Sequence, residues 1–450
     1  MHEFPDLFCS LYDALDDHVA REHAEAWFVD ERLGSFAASV ATDVEGGRPA
    51  SSVRMRVENH SDPEGARYAA LVGIDLALRH VNTAVSLSIE RPPISLQALA
   101  TFVAARGRLD SGAAGGALLP RLVGRGRHEG NVSHKRELFA NVLRVPADSW
   151  ERAGITWVGE AAALHRHELS GGLLLGCVPV IADPKEIGFR VRESGERRYY
   201  RISAADHAAT IKRIPRILAG LDEAGVLVGV APELTLTPAL LGGWQQAMRS
   251  PDRGSSRLRL MIPGSGVLTA AEGRASNTAV LLDGRTGAVI ARQHKLFAFD
   301  FTETELERWR LQQRLGSEAI AEDLVPGRRL EVIDAGGVRI AILICEDLSR
   351  LLDIGPLIRD FGVSHLLAPV FSRPIKARRW ENTAGDVYAR ETGTTVVVSN
   401  SLVMSSILST EGASAMVLAP GTRDALLGTS AGPADVVCFR LLPDGTAVPA

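Results

Sequence analysis

The chain has 450 residues, 46% of them hydrophobic and 23% charged, with a formal net charge of −4. That length is too great for one ordinary core, so two domains are expected. Dispersed charge of both signs and only 5% aromatic residues argue against nucleic acid or an anionic membrane as the main partner. The four cysteines, Cys9, Cys177, Cys345 and Cys438, include no Cys-x-x-Cys pair, which argues against a zinc site or a disulfide framework. Acids rather than a basic-then-apolar leader stand at the start, and no run of 18 apolar residues occurs. A cytoplasmic protein with no membrane span is therefore expected.

Residues 1 to about 170 read as a mostly helical N-terminal domain of unknown role. Tyr68 to Ile89 and Ile94 to Ala105 are rich in Ala and Leu, with apolar residues at three- and four-residue intervals. Gly112 to Gly130 reads as a loop, and Val53 to Glu58 alternates as a strand would. His80, His128 and His134 are dispersed singles, read as ordinary surface or core histidines.

From about Gly172 short β-rich runs alternate with helical stretches. Leu173 to Ala182 is followed by a helix through Ala204 to Ala224 and then Val226 to Ala231. Later strands are expected over Arg257 to Ile262, Thr278 to Leu282, Ala288 to Arg292, Leu330 to Asp334 and Val338 to Ile344. Four more are expected over Ser364 to Val370, Thr394 to Ser399, Ala413 to Ala419 and Val436 to Arg440. Asp283 to Gly287 and Ala335 to Gly337 read as hairpin loops. Hairpins mixed with strand-helix units predict a mixed sheet, or two, with helices packed outside.

Three of these runs end on a reactive side chain. The strand Val338 to Ile344 stops at Cys345 and turns at once into a helical pattern, which would hold the thiol over free backbone N–H groups. A small hydrophobe closing a core strand is the plainer reading of that cysteine taken alone. Val226 to Ala231 leads through Pro232 to Glu233, and Ala288 to Arg292 leads to Lys295 among apolar neighbours. Singly these are a loop glutamate and a surface lysine. Together they make a carboxylate, an ammonium and a thiol at the C-terminal edges of β-runs, where α/β proteins assemble sites. The carboxylate can take the thiol proton, the thiolate can attack a carbonyl or nitrile carbon, and the ammonium with the N–H after the cysteine can hold the developing charge.

These residues resemble the nitrilase superfamily of carbon-nitrogen hydrolases, whose signature is a Glu-Lys-Cys triad in this order. Pro232-Glu233-Leu234 is similar to its general-base segment, His294-Lys295-Leu296 to its lysine segment, and Ile344-Cys345-Glu346-Asp347-Leu348 to its nucleophile elbow. Pro326-Gly327, Trp380, Ala389 to Gly393, Val396 to Asn400, and Gly412 to Ser414 with Pro420-Gly421 extend the likeness. It spans roughly Gly172 to Leu442. The resemblance implies an α-β-β-α sandwich over residues 171–445 and a hydrolase that cleaves a non-peptide carbon-nitrogen bond through a cysteine thioester. An amide, glutamine-type or carbamoyl, is favoured over a nitrile. Glu233, Lys295 and Cys345 would be catalytic, with the Glu346 amide in the oxyanion site and Phe371 lining the pocket. No metal and no cofactor is needed, and a homodimer or larger homo-oligomer is implied.

The family often carries a second glutamate between its lysine and cysteine. Here Glu303, Glu305 and Glu307 compete on an apparent helix from Thr302 to Leu315, and Glu305 is preferred, although Thr302-x-x-Glu305 also reads as a capping box. Glu346, where many members have an aromatic residue, is similar to the glutamine-amidase domains of NAD synthetases, but no synthetase domain or phosphate-binding loop follows. The other class of function is a regulatory or assembly module that keeps the sandwich, its N-terminal domain sensing or docking a partner.

Overall fold

The computed structural model describes residues 3–80, 109–110, 115–122, 135–159, 162–164, 166–204, 207–271 and 274–450. The helix expected over Ile94 to Ala105, together with His128 and His134, lies outside the described residues, as does most of the loop expected over Gly112 to Gly130. The chain forms two compact units, Met1–Arg152 with Arg359–Gly362, and Ala153–Ile358 with Val363–Ala450.

In the first unit helices Glu3–Ala14, Asp17–Val29, Glu31–Glu45, Ala50–Glu58 and Pro63–Ala77 follow one another. Asp16, Asp30 and Asp62 cap the second, third and fifth, each accepting from backbone N–H groups of the first turn that have no partner within the helix. Their apolar stripes meet in one core that includes Leu7, Phe8, Leu33, Val40, Leu71 and Ile74. Val53 to Glu58 belongs to a helix rather than a strand. Ala50, Val53 and Val57 recur at three- and four-residue spacing and are the buried face, so the helical period prevails over the local alternation. Strands Leu109–Asp110, Ala117–Pro120 and Val142–Val145 make a small antiparallel sheet.

The boundary expected near residue 170 falls at 152/153. Ala153–Trp157 pairs in parallel with Leu330–Asp334 and so belongs to a sheet of the second unit. At the other end Ala447–Pro449 pairs with Val437–Leu441, so that unit runs on past residue 445.

The second unit carries two large sheets. One has eight strands, ordered Ser265–Ala271, Arg274–Asp283, Leu260–Ile262, Val228–Val230, Leu173–Cys177, Val437–Leu441 and Ala447–Pro449, with Val289–His294 also on Arg274–Asp283. The other has seven: Leu426–Gly428, Ala415–Leu418, Thr395–Asn400, His365–Val370, Arg339–Ile342, Leu330–Asp334 and Ala153–Trp157. The near-continuous apolar runs read from the sequence are buried strands of these sheets, as expected where both faces are covered. The sheets pack face to face, with the Cys177 sulfur of one 3.9 Å from the Val398 carbonyl oxygen of the other. Helices His207–Glu223 and Pro238–Met248 cover the first sheet through Ile214, Ile217, Leu221, Leu240 and Trp244, and Trp380–Thr392 covers the second. This is the expected α-β-β-α sandwich preceded by a mainly helical region.

Both expected hairpin loops are present, and Gly287 and Gly336 each take the positive φ that such a turn asks of one residue. A hairpin not anticipated, Ile187–Ser194 with Arg197–Ala204, forms a third sheet with the short strand Ala321–Glu322. The apparent helix from Thr302 to Leu315 is two pieces, Glu303–Arg308 and Gln312–Leu315. Arg310 between them takes a left-handed φ of 54°, which an α-helix cannot carry through.

Candidate active site

Three strand ends of the two sheets deliver the expected side chains to one place. Val228–Val230 ends at Ala231-Pro232, and the chain turns through Glu233 into Leu234, which is left-handed at φ 63°. Val289–His294 ends beside Lys295, whose backbone N–H donates to the Asn277 carbonyl of the neighbouring strand. Arg339–Ile342 runs to Cys345, which is left-handed at φ 49° and opens a short 3₁₀ turn, Cys345–Ser349. The helix proper begins only at Leu351, so the elbow is a tight turn rather than the immediate long helix that the sequence pattern suggested. A non-glycine residue held left-handed is strained by about 1–3 kcal/mol, a cost that surrounding structure must offset.

Asp347 supplies that restraint. Its buried carboxylate accepts from the backbone N–H of Leu296 at 3.0 Å, of Phe297 at 2.9 Å and of Ile344 at 3.2 Å, tying the cysteine turn to the lysine segment. Burial pushes the Asp347 carboxyl up to about 7, against the pull of Lys295 and of these three donors. Asp347→Asn replaces one acceptor oxygen by a donor and leaves a buried N–H unsatisfied, for an expected loss of about 1–3 kcal/mol. The folded value lies above the usual 3.8, so this group favours folding most below that pH and loses its contribution as pH rises through about 7. The deficit of Asp347→Asn in urea unfolding should therefore be larger at pH 5 than at pH 8; a deficit independent of pH would contradict this.

Lys295 stands between two carboxylates. Its Nζ donates to Glu233 Oε1 at 2.9 Å and to Glu322 Oε1 and Oε2 at 3.1 and 2.9 Å. Glu233 Oε1 also accepts from Asn277 Nδ2 at 2.8 Å, and Oε2 from the Phe371 backbone N–H at 3.1 Å. Glu322 is held further by the Phe299 N–H at 2.8 Å. Burial opposes the lysine charge, but the two carboxylates prevail and hold the ammonium well above the usual lysine range. Burial raises the Glu322 carboxyl despite Lys295, and the nearby Glu233 adds to the rise.

The second carboxylate at the lysine is thus Glu322 and not Glu305. Glu305 closes its own helix, its Oε2 accepting from the Thr302 N–H and hydroxyl, both at 2.9 Å, as a capping box does. It still lines the cavity, whereas Glu303 and Glu307 are exposed and do not. Glu322 sits in a two-residue strand with no periodicity to mark it. The available signal was a lone pair of acids, Glu322-Asp323, inside an apolar stretch just before Pro326-Gly327.

Cys345 is buried, its Sγ 3.9 Å from the Phe371 carbonyl. Burial and the Glu233 carboxylate raise the thiol well above the usual range, Lys295 pulling the other way. Two carboxylates around one ammonium leave no uncompensated positive charge to stabilise a third anion, so the resting side chain is the neutral thiol. Its alkylation by iodoacetamide should rise about tenfold per pH unit through pH 9; a plateau below pH 8.5 would contradict this assignment.

These side chains form the floor of a cavity of about 300 Å³. Phe299, Phe301 and Trp309 build one wall, with ring centroids 4.9 Å apart for the first pair and 5.4 Å for the second. Tyr200, Phe371 and Trp380 also line it. Glu346 lies at the rim, its carboxylate 2.7 Å from the Arg350 guanidinium. The geometry brings together Glu233, Lys295, Cys345, Glu346 and Phe371. Among the described residues no cluster of His, Cys, Asp or Glu could hold a metal ion.

No family model and no curated protein matches the sequence. Partial likenesses to solved structures are found. An amidase from Nesterenkonia sp. is 16% identical over 63% of this chain and 93% of its own, with a TM-score of 0.41. Nit3 of Saccharomyces cerevisiae, a member of the nitrilase superfamily, is 13% identical over 62% of this chain and 86% of its own, TM-score 0.38. A glutamine-dependent NAD+ synthetase from Acinetobacter baumannii is 14% identical over 60% of this chain and 45% of its own, TM-score 0.40.

Proposed function

We propose that the protein is a carbon-nitrogen hydrolase that cleaves an amide through a thioester on Cys345. The observation that carries this reading is a buried Glu233–Lys295–Glu322 network opening, with the thiol, onto a cavity the size of a small molecule. Such an arrangement does little for stability, since a buried ion pair roughly balances its own desolvation. It has the parts that acyl transfer to sulfur requires.

Glu233 takes the thiol proton as the sulfur attacks the carbonyl carbon, which fits a resting thiol better than a preformed thiolate. The oxyanion is held by Lys295 Nζ and the Glu346 backbone N–H. The leaving nitrogen takes the proton from Glu233 as the C–N bond breaks, and ammonia or an amine departs from the thioester. Water then gives a proton to Glu233, attacks the thioester carbon and releases the acid, and the proton returns to sulfur. Glu322 keeps Lys295 charged and aimed at the oxyanion position. None of these steps uses a metal or a cofactor.

The reading is tested by incubating the full chain with a panel of amides, including glutamine, asparagine and carbamoyl compounds, together with nitriles, and measuring release of ammonia or amine. Multiple turnovers from at least one amide support it; no release from any member, with Cys345 also inert to iodoacetamide, would overturn it.

A further inference from the structure

A second cavity, of about 210 Å³, adjoins the first and shares Arg308, Arg373 and Arg379 with it. The rest of its wall includes Arg310 and Lys376, with Pro374, Leu408 and Thr410 as uncharged lining. Five cationic side chains thus face one small space whose lining contains no carboxylate. Among the described residues only Arg379 of the five has a carboxylate within salt-bridge distance, Glu381 at 3.6 Å, and that glutamate also accepts from the Ser372 hydroxyl. The Nε of Arg373 is buried with no hydrogen-bond partner. Burial lowers the affinity of Arg379 for its proton, Glu381 offsets part of that, and Arg373 and Arg308 lower it further.

Like charges gathered in this way repel one another, and a bound anion would relieve that repulsion. The backbone that carries Arg373 is also held in fixed relation to the reactive end of the site. The Asn400 side chain donates to the carbonyls of Ser372 and Arg373 and accepts the Ser372 N–H. That locks the segment which begins at Phe371, whose own N–H holds Glu233. Arg308 and Arg310 flank Trp309 of the aromatic wall. One continuous lining therefore runs from the thiol to the basic cavity.

We propose that the basic cavity is the subsite for a phosphate or diphosphate group of the substrate, whose amide end reaches Cys345; the second clause rests on the hydrolase reading above. A carboxylate brings two oxygens and one charge, too little for five cations. A phosphate group brings up to two charges and three acceptor oxygens, which planar guanidinium forks engage in bidentate pairs.

The test is calorimetric titration of the full chain with inorganic pyrophosphate, phosphate and citrate at constant ionic strength in chloride. The proteins compared are wild type, Cys345→Ala, and the double variant Arg310→Asn with Lys376→Gln. Both altered side chains are exposed, and asparagine tolerates the left-handed backbone of Arg310, so the thermal midpoint of the double variant should match wild type. Pyrophosphate is expected to bind wild type and Cys345→Ala equally, the double variant at least tenfold more weakly, and citrate at least tenfold more weakly than pyrophosphate. Absence of saturable binding, or binding unchanged in a folded double variant, would overturn the site. Citrate binding as tightly as pyrophosphate would overturn its assignment to phosphate. Pyrophosphate binding with no amide turned over and Cys345 inert to iodoacetamide would leave the anion site standing and remove the hydrolase reading; turnover without anion binding would do the reverse.

Discussion

Cys345→Ala is expected to lower kcat/KM for any amide substrate by at least about 10⁴-fold, because the nucleophile is the one group whose loss removes the covalent route altogether. The fold should survive. The thiol fills little volume, its contact to the Phe371 carbonyl is long at 3.9 Å, and the turn it occupies is held by Asp347 rather than by sulfur. Alanine at a left-handed position meets the same steric cost as cysteine, so the strain is unchanged. Wild-type stability with lost turnover is the expected pair of results, read by urea unfolding and amine release. Retained turnover would show that another group, or bound water acting directly, does the chemistry.

Lys295→Met is expected to cost both stability and activity. The ammonium is the one cation bonded to Glu233 and Glu322 among the described residues, and its removal leaves two carboxylates facing each other in a buried site. Breaking a buried pair from one side costs about 3–5 kcal/mol. Glu322, already raised by burial, should respond by taking up a proton, so the deficit should be smaller at pH 5 than at pH 8. Adding Glu322→Gln to Lys295→Met removes one of the opposed charges and should recover part of the stability but none of the activity, since the oxyanion donor is still missing. A double variant as unstable as the single one would mean that lysine packing, and not charge, sets the cost.

Most strands of the two large sheets were legible because they are short apolar runs that a covered sheet buries, whereas Ser265–Ala271, Leu426–Gly428 and Ala447–Pro449, short or rich in small residues, were not. Glu233, Lys295 and Cys345 were legible for a related reason, each ending such a run. Glu322 was not, because its position depends on Ala321–Glu322 pairing with Tyr199 and Tyr200, a contact across more than a hundred residues. Glu305 was preferred over it on local pattern, and the same local pattern, a capping box, is what occupies its carboxylate. One strand that precedes residue 170 was missed for the same reason. Ala153–Trp157 carries no strong alternation, and its partner strand begins at Leu330. Asp347 reads in sequence as one more acid in a helix start, and only the fold brings Leu296 and Phe297 to it.

The most direct test of the account is intact-mass spectrometry of the wild-type protein quenched in acid during turnover of an amide, followed by peptide mapping. The account predicts an added mass equal to the acyl group on the peptide containing Cys345, lost on treatment with hydroxylamine and absent when Cys345 is alanine. A substrate that is hydrolysed by wild type yet never leaves an acyl group on Cys345 under any trapping condition would contradict it.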